Sequence, residues 1–268
     1  KLFKALKSKK KKILFSNGRR GCFDSYLKKT MVVNLDKEDI AFHFLKYFAE
    51  RKIGFSLEGK SGAVDLLITP QQFHLNAQGI DFTLENLSFH SPLKGKFNLE
   101  NILAAIGVGK ALNIPLNLIR EEIKKFSGLA GRLEEIKEGQ SFKIFVDFAH
   151  TPDSLEAVYQ TLRENFLSPG KRLICILGAT GGGRDRWKRP VMGKVAGKYC
   201  DEIIITNEDP YDEDPRKIME EIAQGLKSEN KKYQIVEDRR EAIALGLKLA
   251  EADDCLIITG KGAEQLMV

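Results

Sequence analysis

Lys143-Ile144-Phe145-Val146-Asp147-Phe148-Ala149-His150-Thr151-Pro152-Asp153 opens the part of the chain that decides the fold. An apolar run (Lys143–Val146) meets a short polar loop, and Thr151-Pro152 then opens a helix expected over Pro152–Asn165. The same unit repeats downstream. Strands are expected at Leu173–Leu177, Glu202–Thr206, Tyr233–Val236 and Cys255–Thr259. Helices are expected between them, at about Arg189–Tyr199, Pro215–Lys227 and Arg240–Ala250. Apolar runs without polar alternation are buried on both faces. Helical connections of ten or more residues make right-handed crossovers. The pattern therefore predicts an α/β fold with a Rossmann-like, doubly wound parallel sheet.

Upstream the texture changes. Met31–Asn34, Gly54–Leu57, Val64–Ile68, Gly79–Leu84 and Leu87–His90 read as short strands, followed by helices at about Leu99–Leu112 and Pro115–Phe126. Ser127-Gly128-Leu129-Ala130-Gly131 reads as a hinge. Two domains are expected, 1–127 and 128–268, the length of 268 residues allowing one or two.

In open parallel sheets, ligands bind outside the carboxyl ends of the strands. The unusual loops lie there: Asp147–Asp153, Gly178–Asp185, Asn207–Pro215 and Gly260–Glu264. Glycines let backbone amides approach an anion. Arg184 and Arg189 offer forks for carboxylate or phosphate, and Lys188 a point charge. Asp147 can accept from ribose hydroxyls. His150 can donate to phosphate or carry a proton. Glu264 and Asp209 can hold an ammonium group. Together these groups suit a zwitterionic amino acid beside a nucleotide. Trp187 is expected either to stack on a ligand or to pack.

Gly54-Phe55-Ser56-Leu57-Glu58-Gly59-Lys60-Ser61 matches the P-loop pattern letter for letter. A helix before it (Ile40–Arg51) and strand-like alternation within it mark a chance match. His43, His74 and His90 lack metal-ligand spacing. Cys22, Cys175, Cys200 and Cys255 form neither a disulfide framework nor a zinc motif, which fits a reducing compartment.

The net charge of +6 is uneven. Residues 1–30 hold 11 Lys/Arg and the single acid Asp24, whereas the remainder carries 32 bases and 36 acids. The basic segment is expected to be a solvated amphipathic helix with Leu2, Phe3 and Leu6 inward, since no base-reading motif accompanies it. No apolar run approaches the ~18 residues that cross a bilayer. The first residues, Lys1-Leu2-Phe3, do not read as a signal peptide, and none is expected. A cytoplasmic, monomeric protein binding neither nucleic acid nor membrane is expected.

Phe97–Ala105 (FNLENILAA), Gly131-Arg132-Leu133-Glu134, Val146–Glu156 (VDFAHTPDSLE), Gly182–Asp185, Lys188-Arg189-Pro190, Asp238-Arg239 and Gly260-Lys261-Gly262 resemble the Mur ligases. The D-[YF]-A-H-T-P-D-S-L-E run resembles one branch, the UDP-N-acetylmuramoyl-tripeptide synthetases. The resemblance covers almost the whole chain. It implies a cytoplasmic, ATP-dependent ligase of peptidoglycan precursor synthesis. Such an enzyme adds a diamino acid, L-lysine or meso-diaminopimelate, to UDP-MurNAc-L-Ala-D-Glu through an acyl-phosphate. By resemblance Asn101 contacts adenine, Arg132 the ATP phosphates or ribose, Asp147 the ribose and His150 the phosphate region. Arg184 clamps the α-carboxylate of the amino acid, and Gly260 and Glu264 take its other end. Lys188 and Arg189 lie near the phosphates or the UDP precursor. Catalytic roles fall to His150 and Lys188, and amino-acid contacts also to Asp209 and Tyr211.

Two departures bear on specificity. Diaminopimelate-adding members carry D-N-P-R where this chain has Glu208-Asp209-Pro210-Tyr211. The usual G-K-G-H-E is here Gly260-Lys261-Gly262-Ala263-Glu264. The missing arginine removes a grip on a second carboxylate, so L-lysine or another amino acid without it is expected. The family's UDP-binding domain and true P-loop are not found within residues 1–268. Residues 1–127 are thus expected to be the C-terminal part of a central α/β ATPase domain, and the chain an inactive fragment. Mg²⁺ ligands are expected mainly outside it. Other readings are a folylpolyglutamate synthase or the next muramyl ligase, against which the A-H-T-P-D-S-L-E run speaks. A non-catalytic nucleotide- or amino-acid-binding derivative and a basic-tailed nucleic-acid binder complete the alternatives.

Overall fold

The computed structural model describes residues 29–227, 229 and 231–267, together with the backbone of a two-residue pair, β1 (Ile13–Leu14) and β2 (Arg20–Gly21). The basic segment and Cys22 lie largely outside the described residues. The chain divides into two compact units. One comprises residues through His74, Ile80–Ser91 and Phe97–Phe126, and the other Leu75–Gly79, Pro92–Lys96 and Ser127–Val268.

In the first unit, β3 (Thr30–Asn34), β4 (Arg51–Phe55) and β5 (Leu66–Ile68) form a parallel sheet. Helix α1 (Glu38–Leu45) connects β3 to β4. Met31, Val33 and Leu35 alternate inward and pack with Ala41 of that helix. β6 (Gln72–Asn76), β7 (Gly79–Leu84) and β8 (Leu87–Ser91) form a second sheet, and helices α2 (Lys96–Ala111) and α3 (Leu116–Lys125) follow.

The P-loop lookalike resolves here. Gly54 and Phe55 close strand β4, and the next element is strand β5 rather than a helix. A carboxylate of the chain occupies the loop: Asp36 accepts from Ser56 Oγ at 2.5 Å and from the Leu57 amide at 2.7 Å. Lys60 is paired with Glu38 at 2.8 Å and Glu58 at 3.3 Å. Replacing Lys60 by alanine is therefore expected to leave ATP affinity unchanged in a titration. A large loss would restore the loop as a phosphate site.

The second unit carries the expected parallel sheet. Its order is β13 (Gln234–Ile235), β12 (Glu202–Ile205), β11 (Leu173–Leu177), β14 (Cys255–Thr259), β10 (Lys143–Asp147) and β9 (Glu134–Ile136). All neighbours run parallel except β9, which pairs antiparallel with β10. Every residue of β11 is buried. Ile174, Ile176, Ile204 and Leu256 pack with Ala242 of helix α7 (Arg239–Leu249) on one face. Cys175, one position out of phase, faces Tyr159 of helix α4 (Pro152–Asn165). Alternation across a fully buried strand thus supplies both layers. Helices α5 (Lys188–Tyr199) and α6 (Pro215–Lys227) complete the wrapping.

The helix expected at Ile40–Arg51 instead spans Glu38–Leu45, and Arg51 opens β4, so a strand and not a helix leads into Gly54; other elements also differ from their sequence-based expectation. β4 is shifted three residues upstream at its start and two at its end relative to Gly54–Leu57. β6 and β9 were not expected: among their residues none is buried, so neither shows an apolar run. β13 shrinks to two residues at the sheet edge.

Candidate functional site

All four unusual loops leave the carboxyl ends of β10, β11, β12 and β14, on one edge of the parallel sheet. They are joined by their own side chains.

The β10 loop is held from both sides. Asp147 is buried, and its two oxygens accept from the Leu133 amide at 2.6 Å and the Ala149 amide at 2.7 Å. Burial raises its pKa against those bonds. Asp147 thus anchors Gly131-Arg132-Leu133, a stretch in which Leu133 has φ +48°. The expected ribose acceptor therefore has both oxygens engaged by backbone. Arg132, exposed, lies 4.5 Å above the Phe148 ring. On the other side His150 meets that ring edge-on, with centroids 4.8 Å apart. His150 Nδ1 lies 2.8 Å from the Phe148 carbonyl. Thr151 caps α4 through a reciprocal pair with Ser154.

The glycines of the β11 loop do a different job from the one expected. The Gly181 amide donates to the Asp209 carbonyl at 2.9 Å, and Glu213 accepts from the Gly183 amide. A Cβ on Gly181 would stand 2.2 Å from the Pro210 carbonyl oxygen, and one on Gly182 2.8 Å from the Tyr211 ring. These glycines let the β11 loop lie flat on the β12 loop, and two of their amides are spent inside the chain rather than offered to an anion. Tyr211 (φ +52°) is exposed over Gly182.

Arg189 also departs from expectation. It is fully buried, and Nη1 donates to Glu221 at 2.7 Å and Glu213 at 3.0 Å, while Nη2 donates to Glu213 at 3.0 Å and the Thr180 carbonyl at 3.3 Å. Both terminal nitrogens of its fork are used by the fold, only the buried Nε being without a partner, and Arg189 is withdrawn as a ligand clamp. Residue type alone could not separate it from Arg184, which is exposed and whose side chain makes no hydrogen bond or ion pair among the described residues.

Lys188, at the start of α5, is buried and donates to the His150 carbonyl at 3.1 Å. Burial lowers its pKa. Asp209 does hold an ammonium, but that of Lys261, at 2.6 Å. Glu264 reaches the same ammonium at 3.0 Å while its side chain is half exposed. Asn101 belongs to the other unit, where it is exposed on α2 and donates to Asn98 Oδ1. Trp187 is 66% exposed.

Sequence reading passed over Glu208. It is 3% exposed; Oε1 accepts from Thr180 Oγ1 at 3.0 Å and Oε2 has no partner. Burial raises its pKa against the charge of Arg239 and the hydrogen bond from Thr180. Gly260 (φ +103°) carries no Cβ because that atom would stand 2.1 Å from Oε2. The signal in the sequence was the acid preceding Asp209-Pro210 with a glycine opening the β14 loop.

Among the described residues no group of three His, Cys, Asp or Glu side chains converges to hold a metal ion. No described helix is long and apolar enough to cross a membrane.

A doubly wound domain with carboxylates and cations gathered at the carboxyl ends of its parallel strands places them where open α/β sheets bind their ligands. The family pattern described as "Mur ligase, glutamate ligase domain" matches residues 131–262, and that described as "Mur ligase middle domain" matches residues 8–109. The chain belongs to the Mur ligase family. It is 37% identical over 263 residues to a UDP-N-acetylmuramoyl-L-alanyl-D-glutamate--2,6-diaminopimelate ligase of Oceanobacillus iheyensis, covering 96% of this chain and 51% of the relative. It is 35% identical over 244 residues to a ligase of the same name from Bacillus cereus, covering 90% and 47%. A solved structure of a ligase so named aligns with TM-score 0.52 at 30% identity, covering 89% of this chain and 49% of that one. The fold is shared with the UDP-N-acetylmuramate-alanine ligase of Thermotoga maritima, at TM-score 0.61 and 20% identity over 85% of this chain and 47% of that one. The chain spans about half the length of the curated relatives it matches.

Proposed function

We propose that this chain serves an ATP-dependent ligase that joins a diamino acid to UDP-MurNAc-L-Ala-D-Glu, in the cytoplasm. Residues 1–127 would supply part of the central ATP-binding domain and 128–268 the amino-acid-binding domain. The observation that carries the reading is the pairing on one sheet edge of an unengaged Arg184 with a half-exposed Glu264, in a chain of this family. In the reaction, ATP phosphorylates a carboxylate of the UDP precursor, and the amine of the diamino acid displaces the phosphate. Arg184 clamps the α-carboxylate, and Gly260 and Glu264 receive the far end. Arg132, stacked on Phe148, faces the nucleotide phosphates, and Asn101 the adenine. Asp147 acts by fixing the Arg132 backbone. Lys188 and His150 stand at the reacting group. The described residues form no cage for Mg²⁺, and we place its ligands outside them.

For the substrate, Tyr211 covers Gly182 where an arginine would grip a second carboxylate, and Asp209 is committed to Lys261. We therefore assign L-lysine, or a diamino acid likewise lacking the distal carboxylate, in contrast to the relatives' names. The protein as its gene encodes it, assayed for ADP release with the UDP-dipeptide, is expected to turn over L-lysine with kcat/KM at least ~10-fold above meso-diaminopimelate. The reverse preference would overturn the assignment, and no turnover with any diamino acid would overturn the ligase reading.

A further inference from the structure

We propose that Nε2 of His150 is the base that takes the proton released by the incoming amine, a role resting on the ligase reading above. His150 Nδ1 lies 2.8 Å from the Phe148 carbonyl oxygen. A carbonyl oxygen only accepts, so Nδ1 carries the hydrogen and the neutral ring keeps its lone pair on Nε2. Nε2 makes no hydrogen bond among the described residues. One further contact holds the ring and two hold the backbone beside it. Phe148 supports it edge-on and carries Arg132 on its face. Lys188 Nζ ties the His150 carbonyl to the start of α5. The Thr151–Ser154 capping box fixes the following residue on α4. Preorganisation of this kind suits a group that must meet a reacting atom.

The other titratable groups at this edge serve less well. Glu208 is 3% exposed, with its unpartnered oxygen sealed against Gly260. Asp147 has both oxygens on backbone amides. Lys188 donates to the His150 carbonyl. The exposed carboxylates of this edge, Asp153 and Asp185, and the half-exposed Glu264 are left to solvent or to Lys261, whereas His150 combines partial exposure, an unengaged acceptor and a ring held by a neighbouring side chain.

The amine nitrogen attacks the acyl carbon and an N–C bond forms. The C–O bond to phosphate breaks, and phosphate leaves with the electron pair. The surplus proton on nitrogen passes to Nε2, and the imidazolium then returns it to the departing phosphate.

Two measurements decide this. Ring ¹H–¹⁵N correlation spectra of the chain, recorded above the histidine titration range and assigned with His150→Gln, are expected to show Nδ1–H and a bare Nε2. An Nε2–H tautomer would overturn the inference whatever the activity. In the ligase assay, His150→Asn keeps an N–H donor for the Phe148 carbonyl but has no base. It is expected to lose roughly 100-fold in kcat with KM for ATP and amino acid within about threefold, and His150→Ala is expected to regain at least about tenfold of its lost rate with added imidazole. A His150→Asn variant with the wild-type kcat would overturn the base while leaving the ligase reading intact. A wild type that turns over no diamino acid would overturn both.

Discussion

Arg189→Ala is expected to lower the stability of the C-terminal unit by about 3 kcal/mol, a fall of roughly 10 °C in Tm. The guanidinium is fully buried and answers Glu213 and Glu221 at once. Without it, two carboxylates face each other beside a cavity, with only the exposed Arg186 left to neutralise them. Arg189→Lys keeps the charge but cannot bridge both acids and Thr180 with one planar fork, so it should recover only part of the loss. The pH dependence has a definite sign. Bonds from Arg189 lower the Glu213 pKa, and at Glu221 burial acts upward but is outweighed by Arg186 and Arg189. Both folded values thus lie below the ordinary 4.5. Their contribution is complete above that value and is lost as pH falls through the folded values. The wild type should lose this contribution in acid, and the alanine variant should show a flatter acid limb. Equal thermal stability of the two proteins at neutral pH would instead return Arg189 to the ligand-facing role its residue type suggests.

Arg184 and Arg189 show where sequence reasoning stops. The five parallel strands are legible because a strand buried on both faces must be apolar throughout, as Leu173–Leu177 is. The loops that carry chemistry are legible because parallel strands end on one edge. The partners of a side chain are not legible, because they come from loops distant in sequence. Arg189 meets Glu213 and Glu221 only because Gly181 and Gly182 let two loops lie together. Asp209 is matched with Lys261 across 52 residues. Asp147 looks like a ribose acceptor until Leu133, in a left-handed conformation, delivers its amide. In each case the residue type was read correctly as a charge, and the fold decided whether that charge faces a ligand or another part of the chain.

Gly225→Ala is the second large effect expected. Within a helix this change normally gains up to ~1 kcal/mol of propensity. Here a Cβ would stand 1.9 Å from the Pro190 carbonyl oxygen and 2.7 Å from the Lys194 amide. The contact is reciprocal, since a Cβ on Gly193 would stand 2.0 Å from the Ile222 carbonyl oxygen. Helices α5 and α6 therefore cross backbone on backbone, with no flexible side chain to yield. Overpacking against backbone costs about 3 kcal/mol or more, so the loss should exceed the propensity gain by about 2 kcal/mol. The neighbouring exposed Gln224→Ala should stay within about 0.5 kcal/mol of wild type. Denaturant melts of the three proteins separate these outcomes, and a Gly225→Ala protein as stable as wild type would contradict the close crossing. The consequence reaches the site, because α5 begins at Lys188, whose ammonium holds the His150 carbonyl. Pushing α5 away from α6 moves that ammonium. A Gly225→Ala protein that still folds should then weaken the His150 ring geometry, read as a change in the His150 ring ¹⁵N signals, although position 225 touches neither residue.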